Sequence, residues 1–110
     1  MATLTLTLKK KWFDMIKSGV KTEEYREIKP FWTKRLMGNA IEYVPDMDNP
    51  IVPTTIPKNY DTLVFTLGYP KADDMARRMV FKNPKIKIAV GNPDWGAEKD
   101  KMYYVITWDN

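Results

Sequence analysis

The chain has 110 residues, of which 44% are hydrophobic, and it carries 18 Lys and Arg against 14 Asp and Glu. This length and composition predict one globular domain over residues 1–110 with a modest core. Cysteine and histidine are both absent, which excludes a thiol nucleophile, a Ser-His-Asp triad and a histidine-based zinc site. We therefore expect no metal and no cofactor, and any catalysis must use lysine, carboxylate or hydroxyl groups.

The charge is unevenly distributed along the chain. Residues 1–38 hold nine Lys and Arg against four acids, whereas residues 39–110 hold nine against ten. A basic half indicates a phosphate-bearing partner, although a solvated helix face has the same composition. No apolar run approaches the roughly 20 residues of a membrane span, and the alternating N-terminus does not have the pattern of a signal peptide. With the absence of cysteine, these features favour a cytoplasmic protein without a membrane partner.

The first third of the chain contains the clearest periodic signals. Alternating Thr and Leu predict a half-buried strand over residues 3–8, with the leucines inward. Residues 9–18 have the spacing of an amphipathic helix, which Gly19 ends in a left-handed conformation. A second strand is predicted over 22–28, and a second short helix over 30–37.

The remainder of the chain is rich in strand-forming residues. Strands are predicted over 62–67, 78–82, 85–90 and 102–108, and residues 40–44 are a candidate for a further short strand. Four prolines between 45 and 57 predict an irregular loop, and Asn83-Pro84 predicts a hairpin turn between the two strands beside it. About six strands and two short helices indicate an α+β fold, specifically a small, partly closed β-barrel.

The segment from Gly19 to Arg26, Gly-Val-Lys-Thr-Glu-Glu-Tyr-Arg, is the most informative part of the chain. Period-two alternation places Glu24 and Arg26 on one face of the second strand, with Lys21 close by at its start. Such a group of charges at the mouth of a small sheet is costly to bury without a purpose. The alternatives are an exposed turn lysine and a purely structural ion pair.

This pattern resembles the ASCH domain family, which belongs to a PUA-like β-barrel superfamily. The resemblance rests on a Leu-rich first strand, an aromatic helix ending in Ile-x-x-Gly, and the motif Gly-x-Lys-Thr-x-Glu-x-Arg. The later segment 91–98, followed by a Tyr-Val-Ile strand, is similar to that of small bacterial and phage members. The resemblance covers nearly the full length, and it implies a cleft beside the motif strand that binds RNA or modified nucleosides.

Some bacterial members of the family hydrolyse the acyl amide of N4-acetylcytidine, using a Lys and a Thr of the motif and a later Glu. The Lys corresponds to Lys21, whereas Glu24 occupies the position of the Thr, and Thr22 lies two residues earlier. Three late carboxylates are candidates for the Glu, and of Asp94, Glu98 and Asp100 we choose Glu98. If the protein is an enzyme, Lys21 and Glu24 are thus the expected catalytic pair.

The predicted ligand-binding residues are Lys21, Thr22, Glu24, Arg26 and Trp95. Trp95 is chosen because it lies in a loop of Gly, Pro, Asn and Asp, where its ring either stacks on a base or closes the end of the barrel. Trp12, in contrast, shares a helix face with apolar residues and is assigned to the core.

A cationic hairpin is predicted to follow a nucleic-acid backbone, through the residues Arg78, Lys82, Lys85 and Lys87. The same pattern is typical of a solvated or guarded edge strand. The predicted function is binding of RNA or a modified nucleoside. The alternatives are an amidohydrolase that acts on N4-acylated cytidine, and a phage or host protein-interaction module without nucleic acid, since fold alone does not decide function. The identity of any protein partner is left open.

Overall fold

The structure is a computed structural model that describes residues 2–43 and 51–109, without the side chains of 39–43 and 51–56. These residues form a mixed β-sheet, a separate two-stranded ribbon and two α-helices. In chain order the elements are β1 (Thr3–Leu8), α1 (Lys10–Lys17), β2 (Glu24–Arg26), α2 (Pro30–Leu36), β3 (Met37–Tyr43), β4 (Ile51–Pro57), β5 (Thr62–Leu67), β6 (Arg78–Val90) and β7 (Met102–Asp109). Short 3₁₀ turns span Met75–Arg77 and Pro93–Trp95. The predicted α+β class with two short helices is confirmed.

The five-stranded sheet has the order β1-β5-β6-β7-β2, and β3 pairs with β4 in the ribbon. β1 lies parallel to β5, and the other neighbours are antiparallel. β1 and β2 are therefore the two edges of the sheet, and no ladder joins them in the described ranges. Closure of the sheet into a PUA-like barrel stays a prediction. Within these ranges, no helix combines the length and apolarity needed to cross a membrane.

The core lies between the sheet and the helices. Along β1 the exposed threonines alternate with buried leucines, which confirms the predicted strand. α1 contributes Phe13 and Ile16, and α2 contributes Leu36. A smaller apolar cluster lies on the opposite face of β7, where Tyr103 and Val105 pack with residues of β2 and of the loop before β7. Because successive residues of β7 face opposite sides, this strand takes part in both clusters.

The predicted hairpin at Asn83-Pro84 is wrong, because β6 runs unbroken from Arg78 to Val90. Between Lys82 and Lys85 the strand contains one residue more than its partner β7, which identifies a β-bulge. Asn83 adopts a φ of 54° there, a left-handed conformation that Asn tolerates better than most residues. The bulge lets one bent strand pair with β5 in its first half and with β7 in its second.

The irregular loop predicted over 45–57 is also wrong in its second part, because Ile51–Pro57 forms β4. Residues 45–50 lie outside the described residues. Pro53 and Pro57 are an even number of residues apart, so their missing N–H groups face the same edge of the strand. A strand tolerates proline where the missing N–H faces an unpaired edge, so pairing with β3 requires both prolines to face the outer edge of the ribbon.

Candidate functional site

The turn after α1 holds Lys21 against the end of the helix. Gly19 has a φ of 84°, as predicted for the residue past the helix end, and its N–H donates to Ile16 O at 3.1 Å. The N–H of Lys21 then donates to Met15 O at 3.0 Å. These two hydrogen bonds direct the Lys21 side chain inward, where it is only 1% exposed.

Three charged side chains meet at the start of β2, and we call Lys21, Glu24 and Arg26 the charge cluster. Glu24 Oε1 lies 3.0 Å from Lys21 Nζ, and its Oε2 lies 3.1 Å from Arg26 Nη1. Glu24 Oε1 also accepts from the N–H of Tyr25 at 3.0 Å. The predicted convergence of these residues on one side of the strand is thus present, with one buried carboxylate between two cations.

Arg26 spans the gap between the two edge strands. Its Nη1 donates to Tyr25 O at 2.8 Å, and its Nη2 donates to Thr7 O, on β1, at 3.1 Å. The guanidinium carbon also lies 5.1 Å from the centre of the Trp32 ring, a distance typical of cation–π contact. One side chain therefore connects β1, β2 and α2 at the point where the charge cluster reaches the surface.

The loop between β6 and β7 packs over the charge cluster. Asn92 Oδ1 accepts from the N–H of Asp94, and Gly96 has a φ of 102° that allows the loop to turn back. Two tyrosine hydroxyls hold the loop, since Tyr25 accepts from the N–H of Asn92 and Tyr103 accepts from the N–H of Glu98, each at 3.0 Å. The carbonyl of Trp95 in this loop accepts from Lys21 Nζ at 2.8 Å.

A cavity of about 390 Å³ opens beside the charge cluster, and we call it the cleft. Its lining combines aromatic and charged side chains, including Trp12, Trp32, Trp95, Glu24, Arg26 and Glu98. Lys21 does not line it, because its Nζ is enclosed by Glu24, the Trp95 carbonyl and the rings of Trp12 and Tyr25. Glu24 and Arg26 are therefore the members of the charge cluster that a ligand can touch.

Burial changes the proton affinity of two groups behind the cleft. Desolvation lowers the pKa of Lys21 below its ordinary 10.5, although the charge of Glu24 acts in the opposite direction. Desolvation likewise raises the pKa of the Tyr25 phenol to about 12. Tyr25 therefore keeps its proton at neutral pH and donates it to Glu23 Oε1 at 2.9 Å.

The structure places the other predicted site residues in different surroundings. Thr22 is exposed and lies outside the lining of the cleft. Glu98 is exposed at the rim of the cleft, 3.8 Å from Lys101 Nζ. Trp12, assigned to the core from its helix face, is only half-buried and lines the cleft. Its spacing predicts the helix face correctly, but not that the loop containing Gly96 lies over its ring.

The cations predicted to follow a nucleic-acid backbone lie along β6, and none of them lines the cleft. Arg78 donates to three carbonyls of the preceding loop, those of Pro70, Lys71 and Asp74. Lys82, Lys85 and Lys87 are exposed. The structure therefore separates these residues from the charge cluster, and their role in binding stays a prediction.

Comparisons of the chain with protein-family models, with curated proteins and with solved structures return no match. The resemblance to the ASCH family thus remains a prediction carried by the motif. The described residues contain no group of three or more Asp and Glu side chains arranged to hold a metal ion.

Proposed function

We propose that the cleft binds a single nucleobase, either of RNA or of a modified nucleoside. The observation that supports this function is the meeting of three tryptophan rings with an adjacent carboxylate and guanidinium, those of Glu24 and Arg26. Aromatic rings stack on the face of any base, whereas paired donors and acceptors recognise its edge. The volume of about 390 Å³ lies in the lower part of the usual range for small-molecule sites, about 300–1,000 Å³.

The hydrogen-bonding capacity left in the charge cluster fits the edge of a base. A carboxylate has about four acceptor positions, and those of Glu24 are used by Tyr25 N, Lys21 Nζ and Arg26 Nη1. Within the described part of the chain, one acceptor position of Glu24 therefore remains. The guanidinium of Arg26 has five N–H groups; two of them donate to Tyr25 O and Thr7 O, and Nη1 forms an ion pair with Glu24 Oε2 at 3.1 Å. An acceptor beside a free donor matches an exocyclic amino group beside a ring acceptor, as in cytosine and adenine.

Replacement of Trp95 by Leu should weaken nucleoside binding without disturbing the charge cluster. The substitution removes a ring that lines the cleft but keeps the backbone carbonyl that accepts from Lys21. Loss of one aromatic–base stack costs about 1–3 kcal/mol of binding free energy. Quenching of tryptophan fluorescence, measured in titrations with cytidine, adenosine and N4-acetylcytidine, provides the affinities.

Tyr69→Ala is the matched control for that measurement, since Tyr69 is 96% exposed and does not line the cleft. We expect its affinities to equal those of the wild type. Equal affinities of Trp95→Leu and the wild type would contradict stacking in the cleft. If no nucleoside and no short RNA binds to the folded wild type, the proposed function is wrong.

A second candidate function is hydrolysis of the amide of an N4-acylated cytidine. It is supported by Glu24, which lines the cleft, and by the buried Lys21 behind it, whose pKa is lowered and whose Nζ lies 3.0 Å from a carboxylate oxygen of Glu24. In this mechanism Glu24 carries the proton between the cleft and Lys21. We expect cytidine release from N4-acetylcytidine by the wild type, with none by Lys21→Met. Circular dichroism must show that the variant is folded. A folded wild type that releases no cytidine eliminates this candidate.

A further inference from the structure

A second cavity, of about 630 Å³, lies against a different face of α2 from the cleft. We call it the α2 groove, and its lining includes Lys29, Pro30, Thr33, Lys34, Met37 and Lys58. The helical residues among them recur three and four positions apart, so they share one side of the helix. Trp32, which lines the cleft, lies between them in sequence and faces another direction. The cleft and the α2 groove are therefore neighbours separated by one short helix.

The lining of the α2 groove is cationic. Its described residues include three lysines and no carboxylate, although Lys29 Nζ lies 3.1 Å from Glu27 Oε2. Among the described side chains, neither Lys34 nor Lys58 forms an ion pair. The N–H of Lys58 donates to Leu36 O at 2.9 Å, which holds this residue beside the end of α2. Cations that have no counter-ion among the described side chains, in a groove of this size, suit a ligand with more than one negative charge.

An exposed aromatic ring lies on α2 next to the cleft and the α2 groove. Phe31 is 66% exposed, and its ring contacts that of Trp32 edge-to-face at 4.9 Å between centroids. Pro30 lines the α2 groove and Trp32 lines the cleft. Because successive residues of an α-helix point about 100° apart, the side chain of Phe31 points between these two directions. An aromatic ring left open to solvent between a base-sized cleft and a cationic groove is available to stack on a second base.

We propose that the base in the cleft belongs to a single-stranded polynucleotide, whose neighbouring base stacks on Phe31 and whose phosphates lie in the α2 groove. This inference rests on the proposed function and names the class of ligand for it. The combination of a positively charged groove with exposed aromatic rings is the physical basis of single-strand binding. It also places the backbone contacts on Lys34 and Lys58, in preference to the lysines of β6.

The salt dependence of binding shows whether the phosphates contact the lysines of the α2 groove or those of β6. The probe is a fluorescein-labelled RNA of mixed sequence, about eight nucleotides long and so within the span of one small domain, and DNA of the same sequence forms a second arm. For single strands each phosphate contact contributes about 0.7 to the slope of log affinity against log salt concentration. The double variant Lys34→Ala/Lys58→Ala should therefore reduce the slope by about 1.4. The matched double variant Lys85→Ala/Lys87→Ala should leave it unchanged.

Removal of the Phe31 ring tests the second stacking position. Phe31→Ala should weaken binding of the RNA by about fivefold to a hundredfold, which corresponds to the loss of one stack. The affinity for free cytidine should not change, because the ring is outside the cleft. Tyr69→Ala, in which a still more exposed aromatic ring is removed elsewhere, should bind both ligands as the wild type does.

Each outcome decides the inference. Reduced slope with Lys34→Ala/Lys58→Ala, together with weaker RNA binding by Phe31→Ala, supports it, and the RNA and DNA arms then identify the preferred sugar. If only Lys85→Ala/Lys87→Ala reduces the salt slope, the inference is wrong, and the phosphates of the nucleic acid contact the lysines of β6. Nucleosides that bind as tightly as the RNA overturn it but leave the proposed function intact. If neither nucleosides nor RNA bind, the proposed function and the inference both fail.

Discussion

Replacement of Glu24 by Gln should reduce the free energy of unfolding by about 3–5 kcal/mol, the cost of removing one partner from a buried ion pair. Glu24 is the carboxylate between Lys21 and Arg26, at 3.0 and 3.1 Å. The Lys21 side chain is fully buried, and that of Arg26 is 14% exposed. Without the carboxylate, Lys21 is left buried beside a second cation and without its counter-ion. Urea denaturation at neutral pH measures the loss, which is a large fraction of the roughly 5–15 kcal/mol that stabilises a typical domain.

The pH dependence of stability identifies Lys21 as the origin of that loss. Burial lowers the pKa of Lys21 in the folded chain, whereas Glu24 raises it, so Glu24→Gln lowers the folded pKa further. The unfolded chain then binds more protons than the folded chain between this lowered pKa and about 10.5, and stability rises with pH across that window. We expect Glu24→Gln to regain stability relative to the wild type as pH increases toward 10.5.

Lys21→Met is the matched variant for this experiment. It leaves Glu24 paired with Arg26 and fills similar space with an apolar side chain, so it should destabilise the fold less than Glu24→Gln does. The double variant Lys21→Met/Glu24→Gln should be more stable than the sum of the two single losses predicts, because the residues are in contact. Additive losses, or a neutral Glu24→Gln, would show that Glu24 does not hold the two cations.

Replacement of Gly96 by Ala should disturb both stability and the cleft. Gly96 has a φ of 102°, where an L side chain is strained, and a Cβ there would lie 2.8 Å from Cζ2 of Trp12. Backbone strain of about 1–2 kcal/mol adds to overpacking of about 1–3 kcal/mol, so we expect a total loss of about 2–5 kcal/mol. Because Trp12 lines the cleft, displacement of its ring should also weaken nucleoside binding. Urea denaturation and fluorescence titration measure the two effects.

Gly19→Ala isolates the contribution of the backbone. Gly19 has a similar positive φ of 84°, but a Cβ there would meet no atom within 4 Å. The Gly19→Ala variant should therefore lose only about 1–2 kcal/mol of unfolding free energy, from backbone strain, and should bind nucleosides as the wild type does. Equal losses of stability in the two variants would mean that the Trp12 ring moves aside without cost, and unchanged binding by Gly96→Ala would remove Trp12 from the site.

Much of the candidate site could be predicted from short-range spacing alone. The alternation along β1 and the left-handed Gly19 depend on residues next to one another in the chain, and both predictions are confirmed. The shared face of Glu24 and Arg26 likewise follows from a period of two. The predictions from sequence are wrong where a local turn signal competes with pairing to strands that are distant in the chain. Asn83-Pro84 has the composition of a turn, but β5 and β7 hold both sides of it in one strand.

By itself the sequence determined the α+β class, the charge balance, the absence of cysteine and histidine, and the motif that brings Lys21, Glu24 and Arg26 together. Only the tertiary structure decided that Lys21 is sealed behind the cleft, because its enclosure requires the carbonyl of Trp95, 74 residues away. The same holds for the cleft and the α2 groove, whose walls come from separate elements. Periodicity reports which way a side chain points relative to its own strand or helix, whereas burial depends on which distant segment packs over it.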